Sequence, residues 1–138
     1  MLLSVVLVAC EGNVFSLKAG DCFNGPLTNP EYSVDVTDVE LVSCDEPHQS
    51  EVYASFELPD SIWKSEDYVF EQGAIGCKAR FETFVGIEYE LSTLDVSINH
   101  PSVESWIEMD DRGIRCILSD GTGDMKAYRS GSLKGSRR

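Results

Sequence analysis

The residues whose types could take part in catalysis or ligand binding are concentrated in one short segment, Cys44-Asp-Glu-Pro-His-Gln-Ser-Glu51. It contains His48, one of only two histidines in the chain, and the carboxylates of Asp45, Glu46 and Glu51. An imidazole beside carboxylates titrates near neutral pH and can form an acid/base pair or a weak metal site. Asp45, Glu46, His48 and Glu51 are therefore the candidate binding residues.

Catalysis at this segment would require a nucleophile, and the sequence contains none of the motifs that supply one. Gly-x-Ser-x-Gly, His-Glu-x-x-His, a Walker loop and Gly-x-Gly-x-x-Gly are all absent. Asp120-Gly-Thr-Gly-Asp124 offers too few oxygen ligands for Ca²⁺, so we expect no metal and no cofactor. We interpret His48 as architectural, hydrogen-bonded to a neighbouring backbone group or to Glu51, and expect no enzymatic activity. The alternative is a small envelope hydrolase that uses His48 and Glu51.

Strands must position this segment, and two of them are predicted to meet there. Glu51 to Glu57 alternates polar and apolar residues, which predicts a half-buried strand with one apolar face: Val52, Ala54 and Phe56. Further strands are predicted at Tyr32–Val42, with a bulge near Asp38, at Leu94–Ile98 and, in a central position, at Ile114–Leu118.

One long helix is predicted to cover the sheet. Ser65 precedes two acids, as a helix N-cap prefers, and Gly86 is typical of a helix end. An apolar stripe recurs between them at spacings of 4, 3, 4 and 3 residues: Phe70, Ala74, Cys77, Phe81 and Phe84. A short turn or single helical turn is expected to bury Trp106. The fold class is therefore α+β, a mostly antiparallel sheet with one main helix packed on a face.

Four cysteines lie within this predicted domain: Cys22, Cys44, Cys77 and Cys116. An even number in an exported chain predicts disulfides, for which three connectivities exist. No Cys-x-x-Cys pair occurs, which argues against a thioredoxin-like motif or a zinc ribbon. We favour sequential pairing, Cys22 with Cys44 and Cys77 with Cys116, because it joins an early strand pair and ties the helix to a later strand.

The first nine residues are uncharged and read as the remnant of a signal peptide, too short to span a bilayer. Leu7-Val8-Ala9-Cys10 resembles a bacterial lipobox, in which the cysteine is lipidated and becomes the mature N-terminus. The positively charged n-region of a signal peptide, rich in Lys and Arg, is missing. A translation start assigned too far downstream, or a truncated chain, would explain its absence. We expect residues 10–18 to be a lipidated tether on the outer face of the cytoplasmic membrane. An apolar first strand that buries Cys10 is the alternative.

Charge restricts the class of partner. The chain has 138 residues, about one domain, and a net charge of -13. Twelve of its 24 acids lie between Glu31 and Glu71 with Lys64 as the only base among them. A phosphate backbone requires a basic face, so we expect no nucleic-acid partner. The acidic face is expected either to be solvated surface or to bind an envelope protein.

An ordered set of short motifs runs along the chain: Gly20-Asp-Cys-Phe23, Val42-x-Cys-Asp-Glu-Pro-His48-x-x-Glu-Val-Tyr-Ala-x-Phe-Glu-Leu-Pro59, Cys77-x-x-x-Phe81-x-x-x-Val85-Gly86, Ser105-Trp106, Asp111-Arg112, Cys116 and Gly131-Ser-Leu-Lys-Gly135. Together they resemble the septum formation domain family of actinobacterial envelope proteins, over residues 19–135. The resemblance implies an exported, membrane-tethered, cysteine-bridged domain linked to septation, without established catalytic chemistry. We therefore expect a non-enzymatic binding or scaffold lipoprotein.

Overall fold

The computed structural model describes residues 10–25, 28–29, 34–35, 38–122 and 125–138. Its elements in chain order are β1 Cys10–Asn13, β2 Cys22–Asn24, β3 Thr28–Asn29, β4 Val34–Asp35, β5 Asp38–Val42, β6 Ser50–Glu57, α1 Glu66–Val85, β7 Asp95–Asn99, α2 Val103–Glu108 and β8 Gly113–Ser119. Short 3-10 turns occupy Val14–Ser16 and Tyr89–Leu91. Neither helix of the described chain has the length and apolar character needed to cross a membrane.

The main sheet is antiparallel throughout, with the strand order β1-β5-β2-β6-β8-β7. β3 and β4 form a separate antiparallel pair. This arrangement confirms the predicted α+β fold class and the central position of β8. β2 lies between β5 and β6, so the two strands that flank the His48 segment are not neighbours in the sheet.

The predicted strand at Tyr32–Val42 is divided in the structure. Val34–Asp35 belongs to the small pair and Asp38–Val42 to the main sheet. Parts of the predictions lie outside the described residues: the signal-peptide remnant at residues 1–9, which includes residues 7–9 of the lipobox, Tyr32 and Val36 of that strand, and residues 123–124 after β8.

Apolar side chains are buried on both faces of the main sheet. On the helix side they form the larger core, which includes Phe81, Val85 and Ile114. The other face carries a smaller cluster: Leu17, Phe23, Val39, Val52 and Ile117. Side chains alternate between the two faces along β8, which explains why this strand is apolar at nearly every position.

A β-bulge in β6 alters the predicted alternation. The pairing of β6 with β8 shifts between Val52 and Ala54. Tyr53 and Ala54 therefore both lie in the helix-side core, while Val52 packs in the smaller cluster. The prediction that Val52 shares a face with Ala54 and Phe56 is wrong. The Tyr53 hydroxyl donates a 2.8 Å hydrogen bond to the Cys77 carbonyl and so ties β6 to α1.

Both predicted ends of α1 are confirmed. The Ser65 hydroxyl oxygen accepts a hydrogen bond from the Tyr68 amide at 3.1 Å. Gly86 follows the last helical residue with a φ of 95°, a left-handed conformation in which glycine is favoured. Sequence therefore determines the length of this helix locally, before any tertiary contact is considered.

The buried stripe of α1 differs from the predicted one. It consists of residues spaced by four: Val69, Gly73, Cys77, Phe81 and Val85. Gly73 and Gly76 lack side chains, so the helix lies close enough to the sheet for Ile98, Ile114 and Phe56 to reach its backbone. The predicted burial of Phe70 is wrong: it is 50% exposed and its ring contacts His100.

Both disulfides pair as predicted. Cys22 bonds to Cys44 and joins β2 to the turn after β5, whereas Cys77 bonds to Cys116 and joins α1 to β8. By the chain-entropy argument each bridge stabilises the domain by about 3–4 kcal/mol. The first bridge ties the start of β2 to the turn that leads into the His48 segment, and the second fixes α1 on β8.

Residues 10–18, expected to be a tether, belong to the fold. Cys10–Asn13 pairs with β5 in register. Leu17 is 4% exposed, and Phe15 packs beside it in the smaller cluster. Burial of such side chains is worth about 1.5–3 kcal/mol each, which explains why this segment folds back onto the sheet. Lipidation of Cys10 itself stays a prediction.

The substitution Gly76→Ala tests the close packing of α1 on β6. A Cβ at residue 76 would lie 2.2 Å from Cζ of Phe56. The ring must move, so we expect the free energy of unfolding to fall by about 1–3 kcal/mol, seen as a lower melting temperature. Gly73→Ala is the matched control, because the nearest atoms to its Cβ would be isoleucine methyl groups at 3.1 Å or more. Both variants gain the same helix propensity, so equal stability of the two proteins would contradict this packing.

Candidate functional site

The four candidate binding residues do not converge in the structure. Asp45 and Glu46 are exposed in the turn after β5. His48 and Glu51 are 3% and 1% exposed, so both are inside the protein. The exposed pair can meet a partner in solution, whereas the buried pair can act only on groups within the fold.

His48 is held by backbone groups. Its ring Nδ1 lies 2.8 Å from the carbonyl oxygen of Glu46. A carbonyl can only accept, so Nδ1 carries the proton and donates it. The His48 backbone also exchanges two hydrogen bonds of 2.9 Å with Arg129. The ring therefore closes the turn between Glu46 and His48 through a backbone carbonyl and not through Glu51.

Glu51 binds the end of the chain. Its Oε1 accepts hydrogen bonds from the Leu133 amide at 2.7 Å and the Ser132 hydroxyl at 3.2 Å. Its Oε2 lies 3.6 Å from Sγ of Cys22. That sulfur belongs to a disulfide and has no proton, so this approach is a contact and not a hydrogen bond. Sequence reasoning identified Glu51 as a candidate but missed this partner, which lies 82 residues further along the chain.

Residues 127–138, which we call the C-terminal strap, are bound to the domain along their length. Backbone hydrogen bonds join Gly131 to Cys44, Gly135 to Phe84 and Arg137 to Val85. Leu133 is 9% exposed and completes the helix-side core. The Gly-, Ser- and Arg-rich composition of residues 129–138 predicts a flexible tail, and the structure shows that this prediction is wrong. The signal that could have revealed this docking is the apolar Leu133 between two turn-forming glycines, Gly131 and Gly135, whose φ angles are both positive.

Asp120 neutralises two basic residues of the strap. It forms ion pairs with the guanidinium groups of Arg129 and Arg138. The hydrogen bond from Arg129, followed by that from Arg138, holds the pKa of Asp120 below its ordinary value. A lowered carboxyl pKa means that this contribution to stability is present above the ordinary pKa and is lost as the pH falls through the lowered one. Two of the five bases in residues 126–138 are thus paired within the protein.

A small pocket lies beside His48, and its lining includes Ser50, Glu51, Asp120 and Arg129. The Ser50 hydroxyl is buried and has no hydrogen-bond partner among the described residues. Nucleophilic catalysis by serine requires a base within hydrogen-bonding distance. The ring of His48 and the hydroxyl of Ser50 are not joined in this way. The pocket therefore contains polar groups without an assembled nucleophile and base.

Among the described residues, one group of side chains has the composition of a metal site. One ligand atom each from Cys22, Cys44 and Glu51 lie within 4.8 Å of one another. Cysteine binds metals as a thiolate, and both sulfurs here are consumed in the disulfide. The group is better described as a disulfide with a buried carboxylate against it.

Replacement of His48 tests its architectural role. His48→Ala removes the donor to the Glu46 carbonyl, so we expect a loss of about 1–3 kcal/mol and a melting temperature lower by several degrees. His48→Asn is the control, because its side-chain amide can place a donor close to the position of Nδ1. Thermal unfolding of the three proteins measures the difference. An Asn variant no more stable than the Ala variant would show that the hydrogen bond contributes little.

Docking of the strap depends on Leu133. Leu133→Ala should cost about 2 kcal/mol or more, because a buried side chain is truncated. Lys134→Ala is the matched control, since its side chain is exposed. Chemical denaturation gives both values. If the two variants unfold at the same denaturant concentration, the strap does not contribute to the stability of the domain.

Comparison with known proteins agrees with this architecture. The profile of the family described as septum formation matches residues 15–137. Neither the curated proteins nor the solved structures give a match. The matched span contains both disulfides, the His48 segment and nearly all of the C-terminal strap. The family description supports a septum-related role in the cell envelope. The chain therefore belongs to the septum formation family.

Proposed function

We propose that this protein is a non-enzymatic binding domain of the cell envelope, anchored through a lipid on Cys10 at the outer face of the cytoplasmic membrane, that binds a partner protein during septation. Family membership supports the septal setting. The internal use of His48 and Glu51 supports binding over catalysis, because their polar atoms hold the turn and the strap. What the domain offers to other molecules is then its exposed surface.

The observation that carries the proposal is an apolar surface on α2 and the first turns of α1. We call it the α2 surface, and its exposed apolar residues are Phe70, Val103, Ile107 and Met109. The ring of Phe70 contacts His100, three residues before α2 begins, so α1 contacts the loop that leads into α2. Ile107 is 72% exposed on a helix whose opposite face is buried. Exposed apolar side chains in such a group mark binding surfaces.

The two segments that carry the α2 surface also carry six exposed acidic residues: Glu66, Asp67, Glu71, Glu104, Glu108 and Asp110. The bases in residues 60–72 and 100–112 are Lys64 and Arg112, and both are paired. Lys64 contacts Asp60 at 3.1 Å, and Arg112 contacts Asp110 at 3.1 Å. Charge complementarity therefore favours a partner segment that combines Lys or Arg residues with apolar ones.

The α2 surface rests on a rigid support. A capping box between Ser102 and Ser105 fixes the start of α2. Trp106 packs edge-on against Trp63 at 5.5 Å, and the guanidinium of Arg112 lies 3.7 Å from the Trp106 ring. Arg112 also donates hydrogen bonds to the carbonyls of Asp60 and Trp106. A surface held in this way loses little conformational freedom when a partner binds, which favours affinity.

Site-specific photo-crosslinking tests the α2 surface. A benzoylphenylalanine placed at position 107 should form an adduct with an envelope protein in living cells, and the crosslinked partner peptide should be basic and partly apolar. Position 75 is the matched control, because Ile75 is also an exposed isoleucine, at 58%, on the other helix. Equal adducts from both positions, or an acidic partner peptide, would refute this assignment.

The anchor is tested by Cys10→Ala, expressed behind a complete signal peptide. Loss of the acyl chain should move the protein from the membrane fraction to the soluble extracytoplasmic fraction, because the acyl chain is the proposed membrane attachment. Circular dichroism of the variant controls for folding. If membrane partitioning is unchanged, the protein is held at the membrane in another way.

A further inference from the structure

The two disulfides differ in their access to solvent. Cys77 and Cys116 are 1% and 0% exposed, between helix and sheet. Cys22 is also buried, but Cys44 is partly exposed in a turn whose neighbours Ser43 and Asp45 are exposed. An external thiol can therefore reach one sulfur of the first bridge and neither sulfur of the second.

The hydrogen-bond inventory of Glu51 is incomplete while the first bridge is oxidised. Oε1 has two donors, the Leu133 amide and the Ser132 hydroxyl. For Oε2 the described residues supply only a contact with Sγ of Cys22 at 3.6 Å, and that sulfur carries no proton while it is in the disulfide. A buried acceptor without a donor lowers stability. Reduction would place a proton on Cys22, and an S–H group at this distance can donate to Oε2.

We propose that the Cys22–Cys44 disulfide is a site of thiol–disulfide exchange with an external dithiol. Cys44 is the sulfur that is attacked, and Cys22 is the leaving group. Glu51 is a positioning residue that accepts a hydrogen bond from the Cys22 thiol and so favours the reduced state. The site has no Cys-x-x-Cys spacing, and its asymmetry comes from burial: one sulfur faces solvent and the other faces a carboxylate.

The exchange balances in two steps. A thiolate of the dithiol attacks Sγ of Cys44, the protein S–S bond breaks, and its electron pair leaves on Cys22. The Cys22 thiolate takes up the proton that the attacking thiol released to solvent. The second thiol of the dithiol then attacks the mixed disulfide and releases Cys44 as a thiol. One dithiol is oxidised to a disulfide, and one protein disulfide is reduced to two thiols.

The strap shares both ends of this site. The Gly131 amide donates to the Cys44 carbonyl, while the Ser132 hydroxyl and the Leu133 amide donate to Glu51. Opening the bridge releases the turn that carries Cys44, so the Gly131 amide should exchange hydrogen faster in the reduced protein. The amide of Arg137, which bonds to the end of α1 and not to this site, is the internal reference.

The unaltered protein gives the first test. It is incubated with dithiothreitol without denaturant, alkylated at intervals and peptide-mapped. Cys22 and Cys44 should become alkylated about tenfold faster than Cys77 and Cys116, because only the first bridge is reachable in the folded state. Reduction of both bridges at one rate, or of Cys77–Cys116 first, would overturn the proposal.

Single-cysteine variants test which sulfur is attacked. Cys22→Ser leaves a partly exposed Cys44 thiol, and Cys44→Ser leaves a buried Cys22 thiol. With glutathione disulfide as the probe, Cys22→Ser should form the mixed disulfide about tenfold faster. Equal rates, or faster reaction of Cys44→Ser, would exclude Cys44 as the point of entry.

Glu51→Gln tests the positioning role. The side-chain oxygen of the glutamine can still accept from the Leu133 amide. Its NH₂ group replaces Oε2 beside Cys22, so the disulfide sulfur then faces a hydrogen-bond donor and not a carboxylate oxygen. The equilibrium of Cys22–Cys44 against dithiothreitol should shift several-fold toward the disulfide, with Cys77–Cys116 unchanged. An unshifted equilibrium would remove Glu51 from the proposal. The comparison of the two bridges in the unaltered protein decides the exchange itself even if this variant does not fold.

Discussion

The buried carboxylate of Glu51 joins parts of the chain that are far apart in sequence. It sits on β6, opposite Cys22 of β2, and binds the strap at Ser132 and Leu133. A carboxylate that is 1% exposed is costly to bury, and hydrogen-bond donors are what offset that cost. The strap supplies those donors. The carboxylate and the strap therefore depend on each other, and the edge of the core that Leu133 closes depends on both.

Sequence predicted the features that are determined locally. The N-cap at Ser65 and the stop at Gly86 follow from backbone and capping preferences that need no tertiary contact. The pairing of Cys77 with Cys116 followed because the predicted helix and the predicted strand each had a face to bury. Such predictions succeed because the decisive information lies within a few residues of the feature.

The incorrect predictions concern contacts between distant segments. The bulge between Val52 and Ala54 becomes apparent only when β6 pairs with β8. Phe70 is exposed and not buried as predicted, because Gly73 and Gly76 let the sheet pack against a neighbouring face of α1. The composition of the strap is that of a flexible Gly/Ser/Arg tail. Its docking depends on hydrogen bonds from Ser132 and Leu133 to the distant Glu51, which the sequence does not reveal. For the candidate site, the residue types were found from sequence, but the separation of exposed Asp45 and Glu46 from buried His48 and Glu51 was not.

Sheet topology relates the proposed anchor to the proposed binding surface. β1, which begins at Cys10, is one edge of the main sheet, and β7, which leads into α2, is the other. Five strand spacings separate these edges, which corresponds to about 24 Å at roughly 4.8 Å per spacing. A lipid on Cys10 would hold the β1 edge against the membrane and leave the α2 surface at the far side of the domain. The acidic residues of the α2 surface would then lie away from the anionic lipid headgroups, which would repel them, and a basic partner segment could reach this surface.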